Sequence, residues 1–95
     1  MLFRSRVVIQ GRDVQLTPLE FKLLAAFVQN PNQVLSRDQL LELSRLHSTE
    51  VYDRSIDVQI MRLRRKVEAD PSHPRLIRTE RGVGYFLDVQ VKAIR

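Results

Sequence analysis

DRSIDVQIMRLRRKVE, residues 53–68, holds five Arg or Lys among sixteen residues, yet apolar residues run through it at regular spacing. At about 100° per residue, Ile56, Ile60, Leu63 and Val67 fall within about 60° of one another, a stripe suited to a core. Ser55, Val58, Gln59, Arg62, Arg65 and Lys66 fall on the other side, in an arc of about 120°. Asp57, Met61, Arg64 and Glu68 take the remaining sector. The spacing predicts a helix over about 54–69 with Asp53 as its N-cap. The acids are confined to one flank, where Arg64 and Glu68 stand four apart. A purely solubilising face would interleave Glu with Lys at that spacing. Here the outward face carries side chains that can read a DNA major groove: Arg62 can fork onto guanine, Gln59 can pair with adenine and Val58 can touch a thymine methyl. Ser55 and Arg54 lie near the helix N-terminus, where backbone N–H groups favour phosphate. Periodicity alone leaves a solvated basic helix face equally open.

RTERGVGY, residues 78–85, bears on that choice. It puts Arg81 beside Gly82 at the tip of a β-hairpin, suited to a narrow, electronegative minor groove. The glycines are needed for a tight turn under either reading. Arg75 and Arg78 add charge on the approaching strand.

The flanking chain divides cleanly. RVVIQGRDVQL (6–16) reads as a hairpin, strands 6–10 and 13–16, turning at Gly11. LTPLEFKLLAAFVQNPNQ (16–33) reads as a first helix over 18–29. Thr17 is its N-cap, Pro18 opens it, and Glu20 completes a capping-box spacing. Leu19, Leu23, Leu24 and Phe27 share a face, and Asn30-Pro31-Asn32 stops the helix. VLSRDQLLELSRL (34–46) repeats the pattern with Ser36 and Gln39. It predicts a second helix over 37–45, burying Leu40, Leu43 and Leu46. HSTEVYD (47–53) is a polar loop. DPSHP (70–74) ends the third helix. RLIRTERGVGYFLDVQV (75–91) alternates at period two and predicts strands near 75–80 and 84–89. The order is β-hairpin, three helices, β-hairpin, an α+β class.

The 95 residues suit one small domain with a modest core. Charged residues make up 28%, the hydrophobic class 43%, and the formal net charge is +5, a balance expected of a globular domain that meets nucleic acid, an anionic membrane or an acidic protein. There is no cysteine, which excludes disulfides, thiolate zinc sites and cysteine nucleophiles and fits a reducing cytosol. No apolar run approaches the ~18 residues of a membrane span, and MLFRSRVVIQGR shows no signal-peptide core. His47 and His73 lie in separate loops with no triad or metal-ligand spacing, so neither an enzyme nor a cofactor or metal site is expected. RGVG lacks the strand-to-helix context of a phosphate-cradling loop. With 6% aromatics a single-strand stacking surface is not favoured.

LTPLEFKLLAAFVQNPNQVLSRDQLL, DRSIDVQIMRLRRKVEADPSHPRLIRT and RGVGY together resemble the DNA-binding output domain of the OmpR/PhoB family of two-component response regulators. The resemblance covers residues 6 to about 89 and is nearest the OmpR branch over 53–74. It implies a winged helix-turn-helix: a short N-terminal antiparallel hairpin (6–16), three helices, and a C-terminal hairpin (75–89) as the wing. Residues 37–69 would be the helix-turn-helix, with the third helix as recognition helix in the major groove. The loop 46–53, with His47, Ser48, Thr49, Glu50 and Val51, matches the family's transactivation loop, which contacts RNA polymerase subunits. The resemblance implies binding of double-stranded DNA at direct-repeat half-sites as a head-to-tail dimer, with half-site centres about 10 bp apart. It also implies a cytoplasmic protein that regulates transcription within a phosphorelay.

Position by position, Arg54 matches a phosphate contact and Arg62 a base contact. Val58 matches a residue packing on base edges, and Gln59 one reaching backbone or base. Ser55 matches a hydroxyl approaching phosphate. Thr79 and Tyr85 match wing positions that hydrogen-bond phosphates, and Arg81, next to Gly82, matches the minor-groove arginine. Arg65 and Lys66 join this set from the outward arc of the wheel. Asp57 and Arg64 resemble an internal ion pair. Two departures stand out. Only 16 residues precede the N-cap of the first helix, room for about two strands where the family has three or four, and Glu80 sits beside Arg81 where an apolar or neutral residue is usual. The receiver domain, on which a sensor histidine kinase acts, is not in these 95 residues. The alternatives to specific DNA binding are a winged-helix protein-interaction module and a non-specific polyanion binder.

Overall fold

The computed structural model describes residues 5–9, 11–44 and 55–89. Strand β1 (Ser5–Ile9) pairs antiparallel with β2 (Arg12–Leu16), Val7 opposite Val14. In β2 the alternation buries Val14 and Leu16 and exposes Asp13 and Gln15, the period-two signature of a half-covered sheet.

Helix α1 (Pro18–Val28) begins as its sequence dictates. The Glu20 N–H donates to Thr17 Oγ1 at 3.1 Å, and the Thr17 N–H donates to Glu20 Oε1 at 2.9 Å. Both bonds satisfy donors that a helix start otherwise leaves unpaired. Leu23 and Phe27 are buried, Leu19 and Leu24 half-buried. Helix α2 (Arg37–Ser44) repeats the device: Gln39 N–H to Ser36 Oγ at 3.1 Å and Ser36 N–H to Gln39 Oε1 at 2.8 Å. Its buried face differs from expectation. Leu40 is buried, but Leu43 is 47% exposed, and Ser44 takes the inward position with its hydroxyl donating to the Leu40 carbonyl. The helix turns its i, i+4 pair inward, so Leu43, on the other side of Leu40 from Ser44, rotates out. Leu46 lies outside the described residues.

Helix α3 (Ile56–Val67) starts later and ends earlier than the expected 54–69. Its N-cap is Ser55, not Asp53: the Ser55 hydroxyl accepts from the Val58 N–H. Ser55 immediately precedes the first residue of the apolar stripe, which is where a cap is most useful. The stripe itself stands as expected, with Ile56, Ile60, Leu63 and Val67 all buried. Arg12 Nη2 donates to the Val67 carbonyl at 3.2 Å and so covers the C-terminal end of α3. Glu68 is buried just beyond. Its carboxylate accepts the N–H groups of Arg75, Leu76 and Ile77, which fixes the chain's entry into the next strand. Glu68 therefore serves the backbone rather than the expected pairing with Arg64.

Strands β3 (Ile77–Glu80) and β4 (Gly84–Leu87) form the second hairpin, Thr79 opposite Tyr85. The segment after α1, read from sequence only as a helix stop, runs beside β4. Asn32 N–H donates to the Leu87 carbonyl, and Leu35 and Tyr85 exchange both backbone bonds, at 2.8 and 3.0 Å. Gly84 permits that approach: a Cβ there would stand 2.0 Å from the Leu35 oxygen. Phe27, Leu16, Leu23, Leu35, Leu40, Ile60, Leu63 and Ile77 form the centre of the core, to which β2, all three helices and the C-terminal hairpin each contribute. This is a winged helix-turn-helix, with β3 and β4 as the wing.

Candidate nucleic-acid interface

Three sides of α3 are spoken for, and the remaining arc is what the domain offers to a partner. One side is the apolar stripe. The flank beside it carries Gln59, which is only 4% exposed. The expectation that Gln59 faces outward is thus corrected: it sits next to Leu63 on the wheel, and the covered arc is wider on that side than the stripe alone suggests. The opposite flank, Asp57 and Arg64, is held by the wing.

That leaves Arg62 and Arg65, both exposed, Val58, half-buried, and Met61, 46% exposed. Met61 was read from the wheel as a flank residue; once the wing occupies the flank, Met61 joins the open arc. Lys66 is half-buried, and its Nζ donates to Glu20 Oε1 at 2.6 Å, so it ties α3 to the capping box of α1. Ser55 is committed to capping. Arg54 and the loop residues His47, Ser48, Thr49, Glu50 and Val51 lie outside the described residues.

The wing places Arg81 at its tip, exposed, in the turn from Glu80 to Gly84. Gly82 has φ +79°, a left-handed conformation that glycine adopts without the cost a Cβ brings. On the approaching strand, Arg78 Nη1 pairs with Asp88 at 2.9 Å and its guanidinium lies over the Phe86 ring.

The expected Asp57–Arg64 ion pair is not made directly. Asp57 Oδ1 accepts from the Tyr85 hydroxyl and from Arg37 Nε at 3.0 Å. Arg64 Nε donates to the Ile77 carbonyl at 2.9 Å, and its Nη2 donates to Thr79 Oγ1 at 2.9 Å. The two arginines also approach the Tyr85 ring, Arg64 at 5.4 Å and Arg37 at 5.7 Å from its centroid. The Tyr85 hydrogen bond, with Arg37 adding to it, holds the Asp57 carboxyl below the usual carboxylate range. Burial pushes the Tyr85 phenol up, and the bond to Asp57 adds to the rise. Burial lowers the Arg64 guanidinium. Thr79 and Tyr85, expected at phosphates, are therefore engaged with α3. Arg37 escaped the sequence reading altogether. Its role comes from a contact twenty positions away, which no local pattern signals.

Among the described residues no three His, Cys, Asp or Glu side chains gather where they could hold a metal. No helix there is long and apolar enough to cross a membrane.

A wing packed on a helix that exposes arginines and buries its apolar stripe defines a winged-helix domain of the transcription-factor type. Residues 11–87 match the family described as "Transcriptional regulatory protein, C terminal", and the chain belongs to that family, the C-terminal domains of OmpR/PhoB-type response regulators. It is similar to Regulatory protein VirG of Agrobacterium tumefaciens (strain 15955), 62% identical over 82 residues, which are 86% of this chain and 31% of VirG. With VirG of Agrobacterium fabrum (strain C58) it is 57% identical over 91 residues, 95% of this chain and 36% of the relative. The chain thus spans about a third of the length of the curated relatives it matches. Among solved structures, the Klebsiella pneumoniae RstA DNA-binding domain in complex with the RstA box is 34% identical with TM-score 0.73, covering 87% of this chain and 82% of RstA's. The Thermotoga maritima OmpR/PhoB homologue DrrB is 34% identical with TM-score 0.67, covering 84% of this chain and 36% of DrrB's.

Proposed function

We propose that this chain binds double-stranded DNA in a sequence-specific manner and regulates transcription, with α3 in the major groove and the wing in the minor groove. The observation that carries the reading is the sorting on α3. Its stripe is buried and both flanks are engaged, and the exposed arc is left with Arg62, Arg65, Met61 and Val58, the exposed acid at its edge, Asp57, being paired with Arg37 and Tyr85. Arg62 is the base reader, able to fork onto guanine, and Val58 supplies an apolar contact to a thymine methyl. Arg65 neutralises phosphate, and Arg81 enters the minor groove. Arg54, which precedes the cap of α3 in the sequence, contacts phosphate at the start of the helix. Support comes from RstA, whose domain was solved with its DNA box at 34% identity to this chain.

Family membership supports the rest of the reading. The 95 residues act as one DNA-binding domain and not as an enzyme. In the full-length protein a receiver domain, addressed by a sensor histidine kinase, controls it in the cytoplasm. Loop 46–53 contacts RNA polymerase, and two copies bind direct-repeat half-sites head to tail. Selection from random duplex DNA tests the core of this. The expected product is a consensus with a half-site repeated about 10 bp apart. Enrichment of no sequence would contradict specific binding and favour a polyanion binder or a protein-interaction module.

A further inference from the structure

Asp57 and Arg64 stand seven residues apart on one flank of α3, and Thr79 and Tyr85 face each other across the wing. The structure joins the two pairs. The Tyr85 hydroxyl donates to Asp57, and Arg64 donates to Thr79 Oγ1 and to the Ile77 carbonyl. A third attachment lies on the far side of β4, where Leu35 exchanges two backbone bonds with Tyr85 against the bare face of Gly84. Arg37, two residues after Leu35, closes the ring by pairing with Asp57. The wing is thus tied to α3 from one strand and from the other.

We infer that the Asp57–Tyr85 and Arg64–Thr79 bonds are a positioning clamp, fixing the wing against α3 so that Arg62 and Arg81 meet their two grooves at once. The inference rests on the DNA-binding reading for its purpose, but the clamp is a property of the free domain. Two contact points held at a fixed separation bind as one unit; when the link loosens, the second contact must be found anew and contributes less. The four clamp residues act through Arg62 and Arg81 and are not themselves base readers.

The chain has no cysteine, so two spin labels can be placed uniquely in the full 95 residues, at Arg65→Cys on α3 and Arg81→Cys on the wing tip. Without DNA, the doubly labelled protein gives one narrow distance distribution. Tyr85→Phe keeps the buried ring and removes only the hydroxyl, and Thr79→Val keeps the shape and removes the acceptor for Arg64. In either background the distribution broadens or shifts while the protein still melts cooperatively. An unchanged distribution in both variants overturns the clamp. On unlabelled protein with a selected duplex, Arg81→Ala lowers affinity by about tenfold in the wild-type background and about twofold in Tyr85→Phe. Equal losses in the two backgrounds overturn it as well. If the wild-type protein shows no sequence preference, the proposed function fails, and the label distances alone decide the clamp.

Discussion

Arg62 stands exposed on the open arc of α3, whereas Arg64, two residues on, spends its donors on the Ile77 carbonyl and Thr79. The same residue type thus meets two different environments, set by about 200° of helix rotation, more than half a turn. Arg62→Ala is expected to weaken binding to a selected duplex by about 1–3 kcal/mol and to relax one base position. Titration against duplexes varied at each position checks this, and an unchanged base preference would remove Arg62 from readout. Gly84 carries a structural prediction of similar sharpness. A Cβ there meets only backbone, at 2.0 Å from the Leu35 oxygen and 2.9 Å from Ser36 Cα, so no side chain can swing aside. Gly84→Ala is expected to cost at least the about 1–3 kcal/mol of ordinary overpacking and to part the wing from Leu35, seen as a lower melting temperature and faster exchange of the Tyr85 amide. A wild-type melt with protected Tyr85 would show that the close approach is not needed. The exposure of Arg62 and the place of Arg81 at the wing tip were legible in the sequence because charge sorting on a helix and glycine at a turn are local patterns. Gln59 was not, because its burial depends on what packs beside Leu63.

At the scale of elements, α3 is set by its neighbours as much as by its own stripe. Its limits moved inward from the sequence reading, to Ser55 and Glu68, because the cap and the Glu68 carboxylate take the bonds that decide where a helix ends. The caps of α1 and α2 were legible, being written in four consecutive residues each. The strand-like run from Asn32 to Leu35 was not, since its partners lie some fifty residues on. The wing–α3 contact also gives a pH dependence. The Asp57 carboxyl is held below its ordinary 3.8, first by the Tyr85 hydroxyl and then by Arg37, with burial opposing. A depressed folded value means that this carboxylate stabilises the fold above 3.8 and that the contribution fades as the pH falls through the lower folded value. The melting temperature of the wild-type protein should therefore drop more on acidification below about pH 4 than that of Asp57→Asn. Asp70, lowered by Ser72 and then His73, titrates in both proteins and cancels in the comparison. Parallel curves would show that Asp57 is not coupled to folding.

Across the whole molecule, one core is shared by β2, the three helices and the wing, so the exposed arginines on the surface are only as well placed as the side chains beneath them. Ile60 is fully buried on the face of α3 opposite Arg62. Ile60→Ala is expected to cost about 2–5 kcal/mol through the cavity it leaves, read from thermal or denaturant unfolding. A melting temperature that does not move would place the stripe elsewhere. The fold class was readable from the order of patterned segments. The face available for binding was readable only in part, because the wing removes one flank of α3 from it and the Gln59 side is buried on the other. The central claim is that this remaining face reads sequence rather than charge alone. The measurement that tests it most directly is a titration of the selected duplex and a scrambled duplex of equal length, each at two salt concentrations. At least about a thousand-fold preference for the selected duplex is expected at both salts. Equal affinity for the two, falling steeply with salt, would contradict it and leave a binder of polyanions.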